Sequence, residues 1–132
     1  MTADPVEILD RGYELIWREG DPEASFRGVT ADFEWVVPDH PEGEIHHGAA
    51  GAVEFFREWI EPWEDLHVDW ELHRAGPDRV LAVVSMHGRG RESGAPVHTR
   101  VAQLWTFREG RAARMVMYPD VDEAFDAAGL PE

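Results

Sequence analysis

The sequence predicts an α+β domain, a curved antiparallel β-sheet wrapped around N-terminal helices as a cone-shaped α+β barrel. Three observations carry that expectation. Apolar residues recur at helical spacing up to Ile60, and from Leu66 onward they alternate with polar ones. Turn signals at Gly76-Pro77-Asp78, Glu92-Ser93-Gly94 and Glu109-Gly110 cut the second half into a four-strand meander. A meander with one apolar face needs a cover, and the three N-terminal helices are the cover available. A twisted sheet curling around helices leaves a hollow at its wide end.

In chain order, Asp4-Pro5-Val6-Glu7 opens a helix, with Asp at the cap, Pro in the first turn and Glu three after the cap. Val6, Leu9, Tyr13 and Ile16 share one face, with Trp17 beside it, and Gly20 stops the helix. Asp21-Pro22-Glu23 starts a second, shorter helix that ends near Gly28. Phe33 to Val37 is a short strand closed by Pro38, and Asp39 to His47 reads as a polar loop. Gly48 to Ile60 returns to helical spacing through Val53, Phe56 and Ile60, and Pro62 ends it. The four strands follow: Leu66 to His73, Arg79 to Gly90, Val97 to Phe107 and Arg111 to Tyr118. Asp120 and Glu123 cap a last short helix stopped by Gly129.

Val97 to Phe107 is the central strand. One row holds Val97, Thr99, Val101, Gln103, Trp105 and Phe107; the other holds His98, Arg100, Ala102, Leu104 and Thr106. The first row is the better core face, and Gln103 is the amide in it. A buried amide is costly unless its donors and acceptor find partners. Either the fold satisfies it, or it faces a cavity where water or a ligand does. The second row, with Leu81 and Val83 from the neighbouring strand, is too apolar for a fully solvated face and predicts a homodimer through that surface.

Composition sets outer limits. One domain over residues 1–132 is expected, with 43% hydrophobic and 11% aromatic residues, enough for a folded core. The formal charge of −15 makes nucleic acid and anionic membranes poor partners. The chain has no cysteine, which removes disulfides, thiolate metal sites and Cys nucleophiles and agrees with a cytoplasmic setting. The N-terminal residues lack a signal-peptide core, and the longest apolar run, Val80 to Val84, is far too short to cross a bilayer.

The element order, the Gly20-Asp21-Pro22-Glu23 step and the segment H-G-A-A-G-A-V-E-F-F at His47 to Phe56 resemble the nuclear transport factor 2-like superfamily. So does W-T-F-R-E-G-R from Trp105 to Arg111, followed by Tyr118-Pro119-Asp120. Within that superfamily the chain is most similar to the SnoaL-like polyketide cyclase and ketosteroid isomerase group, over nearly its whole length. The resemblance implies a dimer that binds small hydrophobic molecules in the cone. Ketosteroid isomerases use a tyrosine and a protonated aspartate as oxyanion donors and an aspartate as base. Tyr13 matches the tyrosine, Gln103 stands at the protonated aspartate, and Val37 occupies the base position. A valine takes no proton, so Asp39 is the substitute nearest in sequence. SnoaL-like cyclases imply an acid or base at Asp120, which also reads as a helix cap. Arg100 followed by Ala102 breaks the Arg-and-Asp pair of limonene-epoxide-hydrolase relatives.

His47, or its neighbour His46, is placed at the pocket mouth as a proton carrier; no ligand spacing fixes a metal. His67, His73, His87 and His98 read as outward. The expected cavity lining is Trp17, Trp35, Val37, Phe56, Trp59, Val101, Gln103, Trp105, Met115 and Met117, suited to a flat aromatic ligand. Two functions stay open: a cofactor-free cyclase, isomerase or dehydratase using Tyr13 with a carboxylate or His, and a domain that holds an apolar ligand without converting it.

Overall fold

The computed structural model describes residues 4–38 and 43–131. Helix α1 (Pro5–Trp17) is followed by α2 (Pro22–Phe26), strands β1 (Glu34–Val37) and β2 (Glu44–His47), and helix α3 (Gly48–Ile60). Strands β3 (Trp63–Arg74), β4 (Arg79–Gly90), β5 (Pro96–Arg108) and β6 (Arg111–Tyr118) come next, and α4 (Val121–Ala128) closes the chain. All strands join one sheet in the order β2-β1-β6-β5-β4-β3.

The four-strand antiparallel meander is present as expected, yet the sheet as a whole is mixed. Strand β1 runs parallel to β6, with Trp35 opposite Met115, and antiparallel to β2, with Trp35 opposite His46. Nor is the sheet closed: β2 and β3 are its two edges. Edge β3 carries Glu64, Asp65, Asp69 and Glu71, charges that discourage pairing with another chain. Strand β2 lies within the stretch read as a polar loop. Its four residues, Glu-Ile-His-His, have too little β propensity to announce a strand, and pairing with β1 decides them.

Local chemistry sets where α1 lies. Asp4 caps it by accepting from Val6 N at 2.9 Å, and Arg74 Nη2, at the end of β3, donates to the same carboxylate at 2.6 Å. At its other end Arg18 Nη1 donates to Val68 O at 2.9 Å, so α1 is pinned along β3 at both ends. Leu9, Tyr13 and Ile16, three and four residues apart, are its buried stripe. They meet Val68, Val80, Ala82, Val84, Val101 and Trp105 from the sheet in one core, which α2 and α3 complete with Phe26, Ala52, Val53 and Phe56.

The opposite sheet face is not bare. Leu81, Ala102 and Leu104 pack against Ala124 and Ala128 of α4. The apolar outer rows are therefore covered, in part, by the chain's own C-terminal helix. Asp120 caps that helix by accepting from Asp122 N at 2.9 Å and Glu123 N at 3.2 Å, and Gly129 ends it in the left-handed conformation, φ 71°. No described helix is long and apolar enough to cross a membrane.

Candidate functional site

Between α1, α2, α3 and the inner sheet face lies a cavity of about 60 Å³. Its floor is Gln103 and Trp105 from β5, Trp35 from β1 and Met115 from β6; its walls are Tyr13 and Trp17 from α1, Phe26 from α2, and Phe56 and Trp59 from α3. The alternation of β5 puts Val101, Gln103 and Trp105 on the side facing α1, and the parallel β1–β6 pairing sets Trp35 beside Met115.

Tyr13 is the hub. Its hydroxyl donates to Gln103 Oε1 and accepts from Trp105 Nε1–H at 2.9 Å. Gln103 Nε2 donates to Met117 Sδ at 3.7 Å. The fold therefore satisfies the buried amide, the first of the two outcomes open from the sequence. The Tyr13 ring stacks on Trp70 at 5.7 Å and meets Trp105 edge-on at 6.3 Å. Burial pushes the Tyr13 phenol above its ordinary pKa, while the Trp105 N–H pulls it down. It stays neutral at physiological pH, a donor rather than a base.

The cavity lining contains no Asp, Glu, His, Lys or Arg among the described residues. Of the expected lining, Trp17, Trp35, Phe56, Trp59, Gln103, Trp105 and Met115 are present. Val37, Val101 and Met117 are not: Val37 and Val101 pack in the surrounding core, and Met117 sits behind Gln103 as its sulfur acceptor. The expectations for proton carriers fare differently. Asp120 is exposed and spent on capping α4, away from the cavity lining. His47 is exposed at the start of α3, because β2 is an edge strand, and it does not line the cavity. His46 stacks on Phe55 at 4.0 Å, with Glu44 Oε1 2.8 Å from its Nε2. Asp39 lies outside the described residues. Among the described residues no group of three or more His, Asp or Glu side chains is placed to hold a metal ion.

Sequence reading missed Ile8, Leu9, Gly12, Ile16, Ser25, Phe26, Val29 and Ala112 in the lining, though it placed Leu9 and Ile16 on the Tyr13 face of the first helix. Nothing in the sequence reading pointed to Ser25, which faces Gly12 of α1 across the helix pair. Its Oγ donates to Gly12 O at 2.8 Å, and a Cβ on Gly12 would come within 3.6 Å of it. That close approach brings α2 against α1 and Phe26 into the cavity.

The architecture is a helix-covered mixed sheet with an aromatic-lined hollow between the two layers. The sequence profile of the SnoaL-like domain matches residues 9–115, and the chain belongs to that family. Solved structures agree over almost the full length. A nuclear transport factor 2-like protein from Burkholderia thailandensis E264 is 25% identical, covering 98% of this chain and 99% of its own, with a TM-score of 0.75. TerC, co-crystallised with polyporic acid, is 23% identical over 96% of this chain and 99% of its own, with a TM-score of 0.73. A protein described as a SnoaL-like polyketide cyclase from Jannaschia sp. CCS1 is 18% identical over 100% and 99%, with a TM-score of 0.71. No functionally curated protein matches the sequence.

Proposed function

We propose that this chain binds a small, neutral, largely apolar molecule in the cavity and does not convert it. One observation supports this above all: an aromatic-walled cavity with no ionisable side chain except the Tyr13 phenol in its described lining. Proton transfer needs a group whose pKa lies near the working pH, and a phenol raised by burial is far from it. Apolar walls with a few fixed polar atoms suit recognition. TerC, a protein of the same fold, has been co-crystallised with a small organic molecule, polyporic acid, which supports a small-molecule ligand in general but not its neutrality.

Size sets a condition on binding. A single benzene ring takes a cavity on the order of 150 Å³, so about 60 Å³ does not admit one without movement. Trp17 and Trp59 are the half-exposed aromatic members of the wall, and they are the rings that give way. Titrating the full chain with a panel of neutral aromatic ketones, followed by intrinsic tryptophan fluorescence, tests the reading. Four of the six tryptophans line the cavity, so a bound ligand perturbs the signal saturably. Absence of saturable binding across the panel overturns it.

A second reading, a cofactor-free isomerase, cyclase or dehydratase, draws support from the Tyr13 hydroxyl in the cavity lining and requires that hydroxyl to turn its proton from Gln103 to the substrate. There Tyr13 stabilises a developing oxyanion, and Asp39 is the carboxylate nearest in sequence to the valine at the family's base position. Conversion of a bound ketone that falls by about 10²–10³-fold in Tyr13→Phe would establish it. Binding without conversion leaves the first reading.

A homodimer remains a proposal for the outer strip that α4 leaves open, around Ser85, His87, His98 and Arg100. A strictly monomeric mass at micromolar concentration removes it.

A further inference from the structure

The polar atoms of the cavity's buried side chains are largely committed within the chain. The Tyr13 hydroxyl donates to Gln103 and accepts from Trp105, whose only N–H is thereby used. The Ser25 hydroxyl donates to Gly12 O, and Gln103 gives one amide hydrogen to Met117 Sδ. Gln103 keeps a second amide hydrogen, and the N–H groups of Trp17 and Trp59 belong to partly exposed rings; among the buried side chains of the described lining, Trp35 is the one whose polar atom makes no hydrogen bond at all. It is 1% exposed, it lines the cavity, and its Nε1–H has no hydrogen-bond partner.

Three other buried side-chain atoms make no hydrogen bond of good geometry among the described residues, Thr30 Oγ1, His46 Nε2 and His73 Nε2, but each has a carboxylate within its reach. None of them lines the cavity. The two imidazoles each have a carboxylate oxygen nearby, Glu44 at 2.8 Å and Glu71 at 3.5 Å. The ring contacts of Trp35 are with Phe26, stacked at 6.0 Å, Phe55, edge-on at 5.0 Å, and Trp59, edge-on at 6.3 Å, and its strand partners are Met115 and His46. An aromatic face is at best a weak acceptor for an N–H. A buried donor left in that state is unusual in a folded protein and calls for an explanation.

Resting on the pocket reading above, we propose that the Trp35 indole N–H is the donor that selects the ligand, which therefore carries a neutral hydrogen-bond acceptor such as a ketone or quinone carbonyl on an apolar ring system. The acceptor must be neutral because the described lining offers no cation to hold a carboxylate or phosphate. It must be an acceptor, not a donor, because the free group is an N–H. Trp59 stands edge-on to Trp35, so the ring that moves to admit a ligand is also one of those now packed beside the donor.

The test uses the matched pair 1-indanone and indane, which differ by the carbonyl, on the full chain and on Trp35→Phe. Ligand binding is followed by ¹H–¹⁵N NMR, including the Trp35 indole resonance assigned through backbone connectivity. In the wild type 1-indanone shifts that resonance downfield and indane does not. Trp35→Phe reduces the preference for 1-indanone over indane by about 2- to 12-fold, the worth of one net hydrogen bond. If both ligands bind but the indole resonance ignores the carbonyl and the preference is unchanged in Trp35→Phe, this inference is overturned and the pocket reading stands. If neither binds, the pocket reading itself is lost, and this inference with it. Should Trp35→Phe not fold, the wild-type indole shift alone decides between the first two outcomes.

Discussion

The Tyr13 hydroxyl donates to the Gln103 carbonyl oxygen across 90 residues of sequence, tying the first helix to the central strand inside the core. Both groups are buried, so neither has water to fall back on. Gln103→Leu strands the Tyr13 O–H, and Tyr13→Phe strands Gln103 Oε1 and the Trp105 N–H; each should destabilise by about 1–3 kcal/mol. The double variant removes both partners and should lose less than the sum, with a coupling of about 0.5–3 kcal/mol. Urea unfolding of the four proteins measures it. Simple additivity would mean the bond contributes nothing to holding α1 on the sheet.

Trp59→Ala should open the cavity. The indole is half-buried and meets Trp17 and Trp35 edge-on at 6.3 Å each, so removing it joins the void to solvent. Affinity for neutral aromatic ligands should rise, while stability falls by about 0.5–3 kcal/mol. Unchanged affinity would show that some other side chain is the barrier to entry.

Gly88 in β4 lies under an irregular stretch of β3, where register shifts between Glu64 and His67 and Asp65 takes a positive φ of 53°. A Cβ at Gly88 would meet Glu64 O at 3.0 Å and the Trp63 ring at 3.1 Å. Gly88→Ala should therefore cost about 1–3 kcal/mol as β3 is pushed off its neighbour. Thermal unfolding reads this directly; a neutral result would mean that β3 shifts freely there.

Arg108 Nη2 donates to Asp32 Oδ1 at 2.6 Å and holds that carboxyl at a pKa of about 2, below its ordinary 3.8. A depressed folded-state pKa gives stability that is complete above the ordinary value and disappears as pH falls toward the folded one. Asp32→Asn should flatten the stability profile between about pH 4 and pH 2 relative to wild type, and high salt should shrink the difference, since the pair is exposed. Identical acid limbs in low salt would show that the pair does not bear on stability.

Much of the cavity was legible in advance because it rests on local periodicity. Leu9, Tyr13 and Ile16 at helical spacing, and Val101, Gln103 and Trp105 at alternation, assign faces without knowledge of the partner. Asp120 carried two meanings in the sequence, cap and catalyst, and its side chain is engaged as the cap. Val37 was placed by family position and His47 by its place just before α3, and where β1 and β2 pair in the sheet, which sequence spacing does not set, leaves both side chains outside the lining.

What the sequence determined by itself was the set of elements and the face each one buries, since the repeat of apolar side chains is fixed by backbone geometry within a few residues. What only the tertiary structure decided was non-local. The parallel pairing of β1 with β6 brings Trp35 to Met115, and α4 covers Leu81, Ala102 and Leu104. The Tyr13 hydroxyl is spent on Gln103, while the Trp35 N–H has no partner. Those outcomes depend on which distant groups meet at hydrogen-bond distance, and side-chain spacing along the chain carries no record of that.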